Sequence, residues 1–347
     1  MVSLFFWRRK RPTVSDIVAA AAAPAPASAA STAPAAPAAP AATLLPLQRL
    51  VHALGLRDAR AADLHARLDA GQNQLLLAAS SEFARVGTEP RYTPQRPALF
   101  TQLLEVVNDE EASLRALSRI ISQDPQLTGS LLRTANGPLY RVSTAPVESV
   151  ERAAALLGTT GMRTLIASSM IKPAVGGRSS GRFGDIAWEH ALYSASAAEA
   201  WAARNQDADP FAAHLLALLY GLGSLAVYRV LLDLYARQPA LPADAAAIAT
   251  SLETNATVTA ARIAESWGLS ERTREALHAQ SAPATAGETA LARALRFGLA
   301  AGAVALLARH QRITEQEAVA QLAARGYAGA QTERIWERLV RAYVRPQ

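Results

Sequence analysis

Apolar residues recur along most of this chain at the three- and four-residue spacing of amphipathic α-helices. One such set is Leu114, Leu117, Ile120 and Ile121, and other stripes run through residues 47–77, 99–107 and 291–307. Side chains three and four positions apart lie on one face of a helix and can be buried together. The pattern therefore predicts an all-α fold.

Capping residues and helix breakers set limits for several of these helices. Asp124 before Pro125 predicts a helix start, because aspartate caps the first turn and proline lacks only an amide that this turn leaves free. The same helix is expected to end at Asn136, which would act as a C-terminal cap or, alternatively, contact a partner or ligand. Further breaks are predicted at Gly55, Gly71, Gly158 and Pro173, and further helix starts at Pro146, Gly161 and Asp185.

The C-terminal part predicts three more helices. Segment 288–309 is nearly uncharged and approaches the length of a membrane span. Its arginines leave only about a dozen apolar residues between them, which favours a buried or interface helix. Thr314 with Glu317 predicts a capping box for the next helix. The last helix, around Trp336, could pack locally or receive a partner.

Composition separates the helical part from the N-terminal region. Residues 19–43 consist only of Ala, Pro, Ser and Thr, so a disordered linker is predicted. The expected organisation is a tail at 1–18, this linker at 19–43, a small helical preface at 44–91, a main domain at 92–285 and a C-terminal helical extension at 286–347. The preface is expected to dock on the main domain or to form a homodimer. The sequence has no cysteine, which excludes a disulfide scaffold and cysteine zinc sites and favours a cytoplasmic location.

The positive charge is concentrated in the tail. The net charge is +6, and the tail holds an aromatic and basic cluster that consists of Phe5, Phe6, Trp7, Arg8, Arg9, Lys10 and Arg11. Aromatic residues beside cations predict weak peripheral contact with a membrane or a partner, or else a terminus without a partner. Because the excess charge does not lie on a folded face, no specific nucleic-acid partner is expected.

An ordered series of motifs points to a family. It comprises Gln123-Asp124-Pro125, then Leu131-Leu132-Arg133-Thr134-Ala135-Asn136, then a predicted helix that ends with Leu156-Leu157-Gly158. In order and spacing this series is similar to that of the HDOD family, the HD-related output domains of bacterial signalling. The resemblance covers residues 92–285 and implies a helical domain of two lobes, related to the HD phosphohydrolases.

The metal-binding positions of that fold are altered here. The run from Leu218 to Gly223 resembles the Leu-Leu-His-Asp-Ile-Gly motif of HD phosphohydrolases, with Tyr220 in place of His and Gly221 in place of Asp. In such enzymes the His and Asp bind a divalent cation that activates water, a role that a phenol and bare backbone cannot take. By the same resemblance His190 matches the first histidine of the pattern, and a later ligand position falls on Ala256. One surviving ligand implies a degenerate site without metal or cofactor, in which His190 and Tyr220 fill the core.

We therefore expect a non-catalytic regulatory module of bacterial signalling that binds a protein partner. Two alternatives stay open. One is binding of a nucleotide or cyclic dinucleotide in the remnant pocket of His190, Tyr220, Gly221 and Ala256, and the other is HD-type phosphohydrolase activity. The family commonly carries receiver or cyclic-dinucleotide input domains. None is recognised in this sequence, so the signal is expected to arrive through a partner, a ligand or a change in expression.

Overall fold

The computed structural model describes residues 46–56, 64, 67–97, 114–122, 124–138, 140, 146–175, 181–205, 208–285 and 287–344. These residues belong to one compact unit that spans residues 42–347. They form helices and turns and contain no strand, which confirms the predicted all-α class. The predictions for the tail, the linker and the stripe at 99–107 concern residues outside these ranges.

Twelve α-helices are formed by the described residues. They are α1 Leu47–Gly55, α2 Ala70–Arg85, α3 Leu114–Ser122, α4 Pro125–Ala135, α5 Val150–Val175, α6 Gly181–Asn205, α7 Pro210–Arg237, α8 Ala245–Ser266, α9 Glu271–His278, α10 Ala290–Arg309, α11 Glu315–Ala323 and α12 Ala330–Leu339. A 3₁₀ turn at Ala279–Ser281 follows α9, and a π-helical turn at Val340–Val344 follows α12.

Helices begin with a side-chain cap where the sequence places Asp or Thr before an apolar run. Asp124 Oδ1 accepts a hydrogen bond from the Leu127 amide at 3.4 Å, and Pro125 is the first residue of α4, as predicted. Thr314 Oγ1 accepts from the Glu317 amide at 3.1 Å, and the Glu317 carboxylate accepts from the Thr314 amide at 2.7 Å, which confirms the capping box. Each bond satisfies an amide at the helix start, so these residues fix where α4 and α11 begin.

Helix α5 differs in part from its predicted limits. It begins at Val150 rather than at Pro146, because Ser149 Oγ accepts a hydrogen bond from the Arg152 amide at 3.2 Å and caps the first turn. The chain leaves the helical conformation at Gly158, as predicted. There φ is 67° and ψ is −179°, a backbone that glycine adopts without a steric clash.

Two other predicted boundaries, the break at Pro173 and the helix start at Asp185, were wrong. Helix α5 continues past Pro173 to its end, although the proline was expected to stop it. Helix α6 begins at Gly181 rather than near Asp185. The ring of buried Phe183 stacks on that of Tyr228, with centroids 4.1 Å apart, so this tertiary contact favours an additional helical turn at the start of α6.

One predicted break falls inside a helix, and so does one residue of the remnant pocket. Gly71 lies in the first turn of α2, because Asp69 caps that turn by accepting a hydrogen bond from a backbone amide at 2.7 Å. Ala256 lies in the middle of α8, which Asp244 caps by accepting a hydrogen bond from the Ala247 amide at 2.8 Å. The alanine-rich sequence after Asp244 has high helix propensity, so a single long helix results.

Four long helices, α6, α7, α8 and α10, form the centre of the unit. The most extensive pairings join α6 with α10, α6 with α7, and α7 with α8. A methyl group at Gly221 of α7 would lie 2.5 Å from Ala191 Cβ of α6, and one at Gly302 of α10 would lie 2.6 Å from the Ser194 nitrogen. Glycine at these positions allows α6 to pack closely against α7 and α10.

The preface and the C-terminal helices pack on this centre. A buried cluster with α6 and α10 includes Leu47, Val51 and Leu54 of α1 and Ile335, Trp336 and Leu339 of α12. Helix α2 adds Leu75, Ala79 and Phe83 to the main core. The preface therefore docks on the main domain, one of its two predicted outcomes, and the last helix packs locally.

By length and composition, α7 and α10 could each cross a membrane. In the folded protein, 83% of the most apolar 18-residue stretch of α7 is buried, and 78% of the corresponding stretch of α10. Burial at this level is typical of the central helices of a helical bundle. For segment 288–309 the sequence had favoured a buried or interface helix.

Candidate functional site

The remnant site lies where α6, α7 and α8 meet. His190 lies on α6, Tyr220 and Gly221 lie on α7, and Ala256 lies on α8. The rings of His190 and Tyr220 meet edge to face, with centroids 6.1 Å apart and planes inclined by 75°. The carbonyl oxygen of Ala256 faces Gly223, so α7 and α8 are in direct backbone contact. All four predicted residues are buried at this junction.

His190 is held as a neutral core residue. Its Nε2 lies 3.2 Å from the carbonyl oxygen of Leu299 on α10. Because a carbonyl can only accept, Nε2 carries the hydrogen and donates it. Burial lowers the pKa of His190 to about 4. The imidazole is therefore uncharged near neutral pH.

Helix α1 closes the remnant site from a direction that the sequence did not indicate. The Tyr220 hydroxyl donates to Gln48 Oε1 at 3.4 Å. His52 is also buried, and burial, followed by the proximity of His190 and Arg49, lowers its pKa to about 3. The leucine stripe around Gln48 and His52 predicted an amphipathic helix. No local signal connected it with residues far along the chain.

The residues gathered here do not fit a divalent metal. Catalytic zinc takes three protein ligands, whereas this junction offers His190, the phenol of Tyr220 and Gly221 without a side chain. Burial raises the pKa of Tyr220 to about 12, so the phenol stays protonated. Ala191 occupies the space that a side chain at Gly221 would need. In the part of the chain that the structure describes, no group of three His, Cys, Asp or Glu residues could hold a metal ion.

Asn136 acts within the fold at the end of α4. Its Nδ2 donates to the carbonyl oxygens of Leu132 at 2.8 Å and of Val147 at 2.9 Å. The Val147 amide donates to Asn136 Oδ1 at 2.7 Å. Asn136 therefore caps α4, as the sequence indicated, and also holds the segment that leads into α5.

Sequence reasoning missed a second polar constellation. Ser168 Oγ of α5 lies 2.9 Å from His214 Nε2 of α7. His214 Nδ1 in turn lies 3.1 Å from Glu199 Oε2 of α6. The three residues come from three helices and share no local motif, so only the fold brings them together.

Two further groups of residues do not contribute to the remnant site as described. His278 is exposed at the end of α9 and takes no part in the remnant site. The candidate membrane or partner contact at residues 5–11 lies outside the described residues. No structural statement about that contact follows.

The helical bundle defines a class of protein, an all-α fold of the HD type. Residues 93–283, more than half of the chain, match the HDOD domain family. The chain belongs to this family, as its motifs indicated. A search of curated proteins gave no significant match.

Solved structures share the fold. A protein from Shewanella amazonensis SB2B, provisionally named a metal-dependent phosphohydrolase, is 16% identical, with a TM-score of 0.56 over 79% of this chain and 100% of the other. An HDOD domain protein of unknown function from Geobacter sulfurreducens is 18% identical, with a TM-score of 0.54 over 78% and 97%. A second Shewanella amazonensis SB2B protein, provisionally named a phosphohydrolase, is 22% identical, with a TM-score of 0.52 over 77% and 93%. At these identities the likeness extends to the fold alone.

Proposed function

We propose that this HDOD protein is a non-catalytic regulatory module of bacterial signal transduction that acts by binding a protein partner in the cytoplasm. The observation that carries the proposal is the packed junction at Tyr220. Its ring fills the interior between His190 and Gln48 where the HD motif would place a metal ligand. Among the described residues no ligand set for a water-activating metal is present, which supports a non-catalytic role.

The two alternatives from the sequence are less well supported. Two structural relatives are provisionally named phosphohydrolases, but this chain has Tyr220, Gly221 and Ala256 at the motif's ligand positions. A nucleotide in the remnant pocket would need several donors or cations for its phosphate. Tyr220 and the neutral His190 supply little of either, and both are buried.

Metal analysis of protein purified without chelators tests the non-catalytic part of the proposal. We expect far less than one equivalent of iron, manganese or zinc, and no hydrolysis of bis-p-nitrophenyl phosphate when manganese is added. Near one equivalent of metal, lost in a His190→Ala variant, together with phosphodiester hydrolysis, would refute it.

Affinity purification from the native bacterium tests the interaction part. Full-length protein and protein that lacks residues 1–43 are compared, because the basic and aromatic cluster lies in the deleted part. We expect the same protein partner with both forms if the helical unit makes the contact. Recovery of no stoichiometric partner with either form would count against the interaction.

A further inference from the structure

The constellation of Ser168, His214 and Glu199 opens into a cavity away from the remnant site. The cavity has a volume of about 380 Å³, within the range of roughly 300–1,000 Å³ that is typical of small-molecule sites. Its walls come from α4, α5, α6, α7 and α12 and from the C-terminal π-helical turn. The C-terminal part of this wall lies beyond the residues that match the HDOD family.

The relay of three side chains holds Ser168 in place. A carboxylate can only accept, so His214 Nδ1 carries a hydrogen and donates it to Glu199 Oε2. His214 Nε2 and the Ser168 hydroxyl are hydrogen-bonded to each other. The Ser168 oxygen keeps a lone pair for a ligand, and both nitrogens of His214 have partners within the protein. The relay thus presents Ser168 as a positioned hydroxyl at the cavity wall.

Positive charge surrounds the cavity. Arg133 of α4 and Arg338 of α12 line it, and an adjoining cleft of about 440 Å³ shares Arg338 and Glu199. The charged residues of the two spaces, apart from His214, are Arg133, Arg204, Arg334, Arg338, Arg341, Glu199 and Glu337. Among the described residues, Arg204, Arg334, Arg338 and Arg341 have no ion-pair partner. Five arginines against two glutamates favour an anionic ligand, and guanidinium groups match phosphate oxygens in geometry.

Aromatic side chains line the same cavity. They are Tyr140, Trp188 and Tyr343. Burial raises the pKa of Tyr140 and Tyr343, so both phenols stay protonated and can donate hydrogen bonds. Tyr343 stacks on Tyr193 of α6 with ring centroids 4.4 Å apart, which anchors the C-terminal turn. The cavity therefore has firm aromatic walls that suit a flat ring.

We propose that this cavity binds a small phosphate-bearing ligand with a flat ring, of the nucleoside monophosphate class. Its phosphate would lie toward Arg133 and Arg338, and a donor group of the ligand would bond to Ser168. The site goes beyond the proposed partner-binding role and does not depend on it. It also lies outside the remnant pocket, where the sequence placed a nucleotide alternative.

A Ser-His-Glu relay also resembles the nucleophile arrangement of hydrolases, but the surroundings of Ser168 favour binding. Acyl transfer needs donors for the oxyanion, and these are commonly free backbone amides. Ser168 lies inside α5, which continues to Val175, so the neighbouring amides are engaged in the helix. The relay therefore supplies a positioned hydroxyl, but the amides beside Ser168 are not free to stabilise an oxyanion.

Isothermal titration calorimetry of the full-length protein tests the proposal, with AMP, GMP, adenosine and inorganic phosphate as probes. We expect AMP or GMP to bind with a micromolar Kd, and adenosine and phosphate at least about tenfold more weakly, because each supplies only part of the contacts. Separate Arg133→Gln and Arg338→Gln variants should each lower the affinity about tenfold or more. Ser168→Ala should also weaken binding. Arg152→Gln is the matched control, because Arg152 is exposed on α5 and does not line the cavity.

Several outcomes would overturn the assignment. These are absence of AMP and GMP binding at about 1 mM, equal affinity for adenosine and AMP, or binding that both cavity arginine variants leave unchanged. Covalent labelling of Ser168 by a fluorophosphonate, abolished in Ser168→Ala, would show a nucleophile and replace the binding role. Because none of these readouts involves metal or a protein partner, they fail or succeed separately from the proposed signalling function.

Discussion

The imidazole of His190 meets the ring of Tyr220 edge to face, with centroids 6.1 Å apart. Both side chains are buried where α6 and α7 meet. Burial keeps His190 neutral and Tyr220 protonated. The pair therefore belongs to the packed core, and its substitution should show first in stability.

Replacing Tyr220 with alanine should lower the free energy of unfolding by about 2–4 kcal/mol, because it removes a buried ring and leaves a cavity. Tyr220→Phe is the control. It keeps the ring and loses a long hydrogen bond to Gln48, so it should cost less than about 1 kcal/mol. Urea unfolding followed by circular dichroism measures both. A Tyr220→Ala variant as stable as the parent would show that the ring is not part of the core.

The stability of the fold should decrease as the pH is lowered, because two buried histidines are neutral in the folded protein. The pKa is lowered from 6.5 to about 4 for His190 and to about 3 for His52. The unfolded chain therefore binds more protons than the fold below about pH 6.5. Stability is complete above that pH and declines as the pH falls toward the folded values, by up to about 1.4 kcal/mol per pH unit for each histidine.

The measurement compares unfolding free energies between about pH 7 and pH 5 for the parent and for His52→Gln and His190→Gln variants. Each variant should show a shallower decline, since it removes one of the two groups. His278→Gln is the control, because His278 is exposed. Parallel slopes in all four proteins would contradict the assignment of the pH dependence to the buried pair.

Gly223 should tolerate no side chain. A methyl group there would lie 2.8 Å from Ala260 Cβ and would overlap the Ala256 carbonyl oxygen. Gly223→Ala should therefore separate α7 from α8 and destabilise the protein by about 1–3 kcal/mol. Gly129→Ala is the matched control within α4, where the added methyl meets only the flexible end of Arg133. That change should stabilise the protein by up to about 1 kcal/mol, because alanine favours the helix.

The fold was predictable because its signals are local. The Asp124-Pro125 start, the Thr314 and Glu317 capping box and the bend at Gly158 depend on residues within a few positions of each other. The boundary errors arose where tertiary contacts override local preference. Helix α6 starts at Gly181 because Phe183 stacks on a ring from another helix, which no window of sequence contains.

The candidate site was predictable only in part, for the same physical reason. Motif spacing placed His190 and Tyr220 at one junction. The closure of that junction by Gln48 joins residues 172 positions apart. The relay of Ser168 and His214 likewise spans 46 positions and two helices. Such pairs are set by helix packing. They cannot be predicted from the sequence unless both residues belong to a recognisable motif.

Asn136 should prove to be a stability residue at the join between α4 and α5. Its side chain makes three hydrogen bonds to backbone groups, two of them to Val147. Asn136→Ala would leave the amide and carbonyl of Val147 without these partners, at a cost of about 1–3 kcal/mol. Asn136→Asp keeps the acceptor for the Val147 amide but replaces the two donated bonds with repulsion toward carbonyl oxygens, so it should be nearly as destabilising. Thr134→Ala, which removes a single hydroxyl bond within α4, should cost less. Unfolding midpoints in urea separate these cases, and an Asn136→Ala protein as stable as the parent would indicate that the residue serves contacts outside the fold.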